Sequence, residues 1–176
     1  MNEIVKKNGI NYGIITGVLS VLTTTLIYVI DLKLFTSTWL GFLSIAIYII
    51  IGVVLLSKTR KDFKGSLAFK DAFTTYFVSA VIGILISVVF NIILFNYIDP
   101  SAKATIKELT MKYTVEMLQK FDTPAKVINE TIKSLEENDQ FAPLKLLQGS
   151  VFSIIFSALF GLVLAAFFKT KSSFPK

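Results

Sequence analysis

The chain has no cysteine and no histidine among its 176 residues. Disulfides, thiolate nucleophiles, imidazole bases and zinc or haem sites of the usual ligand type are therefore excluded. Charge is scarce as well. Charged residues make up 17% of the chain and hydrophobic ones 53%, where a soluble domain carries about 25% charged residues. Mean hydropathy is +0.68. Four long stretches hold no Asp, Glu, Lys or Arg at all: Gly9 to Ile30, Thr38 to Ser57, Ala72 to Ile98 and Leu146 to Phe168.

Those four stretches are what the chain does have. A hydrocarbon core about 30 Å thick needs about 20 helical residues to cross it. The runs are too long for strands and do not alternate. In lipid a helix satisfies its own backbone N–H and C=O groups, which water cannot do there. An all-α integral membrane fold follows, with transmembrane helices over 9–30, 38–57, 72–98 and 146–168 and an insert over 99–145. The expected organisation is one membrane domain spanning 1–176. The first stretch does not read as a cleaved signal, because it exceeds the usual apolar length and ends in Tyr28-Val29-Ile30-Asp31 without a small-residue cleavage pattern.

Lysine and arginine set the expected orientation. Lys6, Lys7, Lys58, Arg60, Lys61, Lys64, Lys70, Lys169, Lys171 and Lys176 fall in connections on one side. The two connections on the other side carry roughly half that density of basic residues. Both termini are thus expected in the cytoplasm of a bacterial inner membrane, with 99–145 outside. The net charge of +6 then reflects topology, and no nucleic-acid reading motif accompanies it. Tyr28, Trp39 and Tyr97 lie at the outer ends of spans, where aromatic rings anchor in the headgroup zone; ligand stacking is the less favoured account.

In the insert, Asp99-Pro100 ends the third span, since a residue before proline is pushed out of the α region. Ile106, Leu109, Tyr113, Met117 and Phe121 make one helical stripe, and Glu108, Lys112, Glu116 and Lys120 a charged ladder on another face. Thr123 as N-cap and Pro124 at the first position predict a second helix. Together they predict an extracytoplasmic amphipathic helical hairpin between spans three and four. Its stripes either pack on each other and the membrane or dock a partner; packing is the favoured account.

Small residues recur every fourth position inside the spans: Gly9, Gly13, Gly17; Ser79, Gly83, Ser87, Asn91; and Gly149, Ser153, Ser157, Gly161, Ala165. This small-xxx-small spacing aligns them on one ridge, which lets helices approach closely in lipid. Asn91 reads as an interhelical hydrogen-bonding group rather than a substrate contact. Thr23, Thr24 and Thr25 can bond back to their own helix. No ionisable residue lies at membrane depth, as proton- or ion-coupled transporters usually require. Nor do the two halves look like inverted repeats.

The basic loop with Gly65-x-x-x-Phe69-x-x-Ala72, the Tyr97-Ile98-Asp99-Pro100 corner, the lysine- and glutamate-rich helical insert and the entry Leu147-Gln148-Gly149 together resemble an uncharacterised bacterial membrane family, domain of unknown function 4199, found chiefly in Bacteroidetes. The resemblance implies a four-helix inner-membrane protein with no assigned activity and offers no catalytic residues to carry over.

The expectation is a non-enzymatic scaffold or accessory subunit acting through its ridges and outer hairpin. The alternative is a small transporter or channel component, working as an oligomer with Ser79, Ser87, Asn91, Ser153 and Ser157 along its path. No catalytic, metal or cofactor-binding residue is expected. The expected partners are the bilayer and a second copy or another membrane protein, and Asp99 and Pro100 form a structural corner.

Overall fold

A computed structural model describes residues 1–170 of the chain; Lys171 and Lys176 of the basic set above lie outside them. Among the described residues there are six α-helices: α1 (Glu3–Ile30), α2 (Thr38–Asp62), α3 (Phe69–Ile93), α4 (Pro100–Lys120), α5 (Ala125–Glu137) and α6 (Pro143–Phe168). A 3-10 turn, Leu32–Thr36, joins α1 to α2, and a π turn, Leu94–Ile98, extends α3. No strand occurs among the described residues. Four helices are long and apolar enough to cross a membrane, with α3 counted through Ile98. The chain has the make-up of a multi-pass membrane protein.

The helices run past the uncharged stretches at several ends. Asn2 caps α1 by accepting from the Ile4 N–H at 2.8 Å, so α1 starts six residues before Gly9 and takes in Lys6 and Lys7. α2 continues through Lys58, Arg60 and Lys61 to Asp62. Charge does not stop a helix; it only marks where lipid ends. What stops α2 is a left-handed pair, Lys64 (φ 52°) and Gly65 (φ 87°), with the Gly65 N–H returning to the Arg60 carbonyl at 2.9 Å. α4 ends the same way. Asp122 adopts φ 51°, and the N–H of Thr123 bonds the Leu118 carbonyl at 3.1 Å.

The cap of α5 corrects the sequence expectation. The helix begins at Ala125 with Pro124 at the cap position, the Pro124 carbonyl accepts from the Val127 and Ile128 N–H groups, and no side chain caps it. Thr123 lies one residue outside the cap position, which Pro124 occupies, and its N–H closes the end of α4 instead. α5 folds back along α4, bringing Lys107 Nζ to the Glu136 carbonyl and Lys103 Nζ within 2.8 Å of Asp139. Only the start of the α4 stripe is covered. Ala102 and Ile106 are buried, whereas Tyr113, Met117 and Phe121 are exposed.

α3 is the hub, packing on α1, α6 and α2. Two apolar clusters close the bundle at opposite ends. At the end where α1 begins and α6 ends, Leu56, Leu67, Ala72, Leu164 and Ala165 are buried together. At the α4 end, Leu94, Phe95, Ala102 and Ile106 form the second cluster, with the Phe95 ring 5.7 Å from Phe35 and 4.4 Å from Phe141. Polar ties reinforce both ends. Asn8, almost fully buried, donates to Thr59 Oγ1 (3.2 Å) and Asp62 Oδ2 (2.8 Å). Thr170 bonds Gly65 and Leu67 across the α2–α3 turn. At the other end Asn96 donates to the Phe141 carbonyl at 2.9 Å. Between the clusters the bundle is hollow.

Candidate functional site: a hydroxyl-lined cavity

One wall of the hollow is the α1–α3 seam. A Cβ built at Gly13 would lie 2.7 Å from the Ile82 Cβ and 3.0 Å from the Ser79 carbonyl oxygen. At Gly9 and Gly17 the corresponding neighbours are Val78 and Ile86, at 3.0 and 2.6 Å. The α1 glycines therefore receive a β-branched stripe of α3, Val78-Ile82-Ile86. From the opposite side Gly83 receives the Thr16 side chain, its Cβ position 3.0 Å from Thr16 Cγ2. Higher up, Ser20 donates to Ser87 Oγ at 2.8 Å.

Asn91 corrects the sequence expectation. Its amide donates to the Ser87 carbonyl of its own helix at 2.8 Å and lies 3.4 Å from Ser87 Oγ, with no bond to another helix. The interhelical bond at this level belongs to Ser20 and Ser87, and Asn91 does not line the cavity.

The floor is a tyrosine held in two glycine notches. A Cβ at Gly161 would sit 2.6 Å from Tyr76 Cδ1, and one at Gly52 would sit 2.8 Å from Tyr76 Cε2. Gly161 thus admits an aromatic ring, not a neighbouring backbone. Further along the same α6 ridge the packing stops. Around Gly149 nothing lies within 4 Å of a Cβ position, so it is not a helix-packing residue. Ser153 is also exposed and bonds only the Gly149 carbonyl. Gly149, Ser153 and Ser157 line the hollow, and α2 is buried only in its second half, at Gly52, Leu55, Leu56 and Thr59.

The resulting cavity has a volume of about 440 Å³, within the range of small-molecule sites. Hydroxyls come from every wall: Thr16 and Ser20 of α1, Tyr48 of α2, Tyr76, Ser79 and Ser87 of α3, and Ser150, Ser153 and Ser157 of α6. No Asp, Glu, Lys or Arg is among the lining residues. Several of these hydroxyls donate to main-chain carbonyls of their own helix: Thr16 to Tyr12, Ser150 to Leu147, and Ser153 to Gly149. Ser79, only 4% exposed, makes no side-chain hydrogen bond among the described residues.

A family model described as "Protein of unknown function (DUF4199)" matches residues 11–170. The chain belongs to that family. No curated protein and no solved structure matches it. The match takes in all of α2 through α6 and most of α1, so cavity and insert are both parts of the family's domain. No group of three or more metal-ligating side chains exists among the described residues of this family member.

At the α4 end, the Asp99–Pro100 corner is a cap. Asp99 Oδ1 accepts from the Ser101 and Ala102 N–H groups, both at 3.1 Å, and from the Ser101 hydroxyl at 2.5 Å. Its Oδ2 accepts from the Tyr28 hydroxyl at 2.9 Å, tying α1 to α4. Pro100 occupies the first helical position, where its missing donor costs nothing. The Ser101 hydroxyl, then Tyr28 and the Ala102 N–H, hold the Asp99 carboxyl below the usual carboxylate range. For Asp139, burial pushes upward, but Lys103 and the Phe141 N–H outweigh it and the carboxyl is held low. None of these groups lines the cavity.

Tyr48, Tyr76, Thr16 and Ser20 belong to the site although no ridge pattern singles them out. A signal was available for Tyr48, which lies near the middle of the second span and so does not fit an interfacial belt.

Proposed function

We propose that this protein is a non-enzymatic accessory subunit of a bacterial inner membrane that holds a small molecule in the cavity between its spans. The observation carrying this is a cavity within one chain, walled by hydroxyls from four helices and free of Asp, Glu, Lys and Arg. The absence of histidine and cysteine supports a binding role over catalysis, as does a lining without an acid–base pair. Ser79, Ser87, Ser153 and Ser157, weighed as an oligomeric transport path, here meet inside a single chain. A transport component that uses this chamber as its binding stop is therefore the second reading, and it needs no oligomer to build the chamber.

In the proposed arrangement both termini and the α2–α3 turn are cytoplasmic, and α4–α5 form an extracytoplasmic hairpin. Basic residues cluster around the terminal end, which supports that orientation. The bilayer is one partner. Another membrane protein or a second copy would meet the broad apolar faces of α2 and α6, and nucleic acid has no place in this scheme.

The test is a pair of variants compared in mild detergent. Gly149→Phe places a ring at the cavity mouth, where nothing opposes it. Solvent extracts of purified wild type should contain a small molecule that extracts of Gly149→Phe lack, with both proteins melting at similar temperature. Identical extracts from the two would remove the cavity as the working site.

A further inference from the structure

Resting on that cavity reading, we infer the ligand's class and its route: an uncharged, lipid-dissolved molecule with a hydrogen-bonding head such as a hydroxyl or carbonyl, entering sideways from the bilayer past α6. Three observations lead there.

The lining offers neither cation nor carboxylate to pair with a ligand charge. An unpaired charge moved from water into such a site suffers a large desolvation cost. A hydroxyl can donate once and accept twice, so it suits a neutral polar head.

The polar end of the ligand has a specific place to go. Ser79 lines the cavity and makes no side-chain bond among the described residues. Since no fully buried side-chain N or O atom among them lacks a partner, its hydroxyl oxygen opens onto the cavity. It sits one turn from Tyr76, the ring wedged between Gly52 and Gly161. A ligand hydroxyl or carbonyl placed here would bond the open Ser79 hydroxyl, while the ligand's apolar body lies along Ile84, Val88 and Ile51. From Tyr76 to Val88 the slot runs about 18 Å along α3, long enough for an extended apolar body.

The route follows from where the lining reaches the surface. Packed clusters stand beyond both ends of the hollow. The exposed lining residues of α6 are Gly149 and Ser153, flanked on that helix by exposed Val151, Phe152 and Phe156. These apolar neighbours face lipid in a spanning helix. The mouth is thus a small-residue gap in a lipid-facing wall.

The experiment uses the full chain in lipid nanodiscs and three photoactivatable probes of equal chain length: a long-chain alcohol, the ionised carboxylic acid and the quaternary ammonium. Crosslinks are mapped by mass spectrometry. The alcohol should label lining positions of α3 and α6 and be displaced by unlabelled alcohol. The charged probes should label those positions at least about tenfold less. Ser79→Ala should weaken alcohol labelling about three- to tenfold, with unchanged thermal stability. Gly149→Phe, and separately Gly149→Leu in case the larger ring perturbs folding, should abolish it. Equal or stronger labelling by a charged probe, still blocked at Gly149, would overturn the ligand class while leaving the cavity as a site. Alcohol labelling that ignores both Gly149 variants would overturn the cavity reading itself.

Discussion

Two glycines on one ridge of α6 meet opposite surroundings. Gly161 sits against the Tyr76 ring, and Gly149 faces empty space. Their substitutions should separate accordingly. Gly161→Ala forces a Cβ into a 2.6 Å contact with Tyr76 Cδ1 and should cost about 1–3 kcal/mol, the usual range for overpacking. Gly13→Ala should cost at least as much, because one of its close neighbours is the Ser79 backbone oxygen. Gly149→Ala should be neutral or mildly stabilising, since alanine favours helix over glycine. Thermal melts in one detergent decide this; equal losses at Gly161 and Gly149 would refute the packing assignment. The polar contacts divide in a similar way. Ser20→Ala removes an interhelical bond worth about 0.6 kcal/mol. Asn91→Leu, which breaks only a bond within α3, should leave the α1–α3 seam intact. A larger loss for Asn91→Leu than for Ser20→Ala would restore Asn91 as the interhelical group.

Among the elements, α4 depends most on one side chain. Asp99 caps it and reaches Tyr28 of α1 in the same geometry. Asp99→Ala should therefore destabilise α4, lowering its hydrogen-exchange protection. Asp99→Asn, which keeps an acceptor oxygen for the cap, should cost less. Pro100→Ala should loosen α4 and raise protease sensitivity near Ser101, because proline no longer fixes where the helix begins. The carboxyls of Asp99 and Asp139 are held low in the folded chain. Their contribution is complete above the unfolded carboxylate value of about 3.9. It is lost as pH falls through the folded values. Hydrogen exchange, corrected for intrinsic rates, should show α4 and α5 losing protection on acidification below about pH 4, ahead of the α1–α3 seam. Asp99→Asn should blunt that response. Protection in α4 that does not change with pH would contradict the role given to these carboxylates.

For the whole molecule, the hollow separates two packed ends, and orientation decides which end meets which compartment. Lys64 and Lys126 are both exposed and lie in opposite connections. Cysteines introduced at these positions should label oppositely in intact cells. An impermeant maleimide should reach position 126 and spare position 64; the reverse would invert the proposed topology. Both substitutions are conservative tests, since neither lysine makes a side-chain bond among the described residues.

The spanning helices were legible in the sequence because an uncharged run of about 20 residues in lipid has no other way to satisfy its backbone. The insert's two helices were legible as well, from Pro100 and from the apolar spacing in 101–121, although the α5 cap position moved from Thr123 to Pro124 and no side chain caps it. The cavity was not. A small residue every fourth position places a ridge on a helix face, but it does not say how far away the neighbouring helix stands. Gly9, Gly13 and Gly17 meet α3 closely, while Gly149, Ser153 and Ser157 meet open space. That difference arises because Tyr76, seated between Gly52 and Gly161, holds α2 and α6 together at one end only. The Asp99–Tyr28 and Asn8–Asp62 ties join residues 71 and 54 positions apart. Sequence spacing cannot reveal such pairs, and only the packed chain brings them within hydrogen-bonding distance.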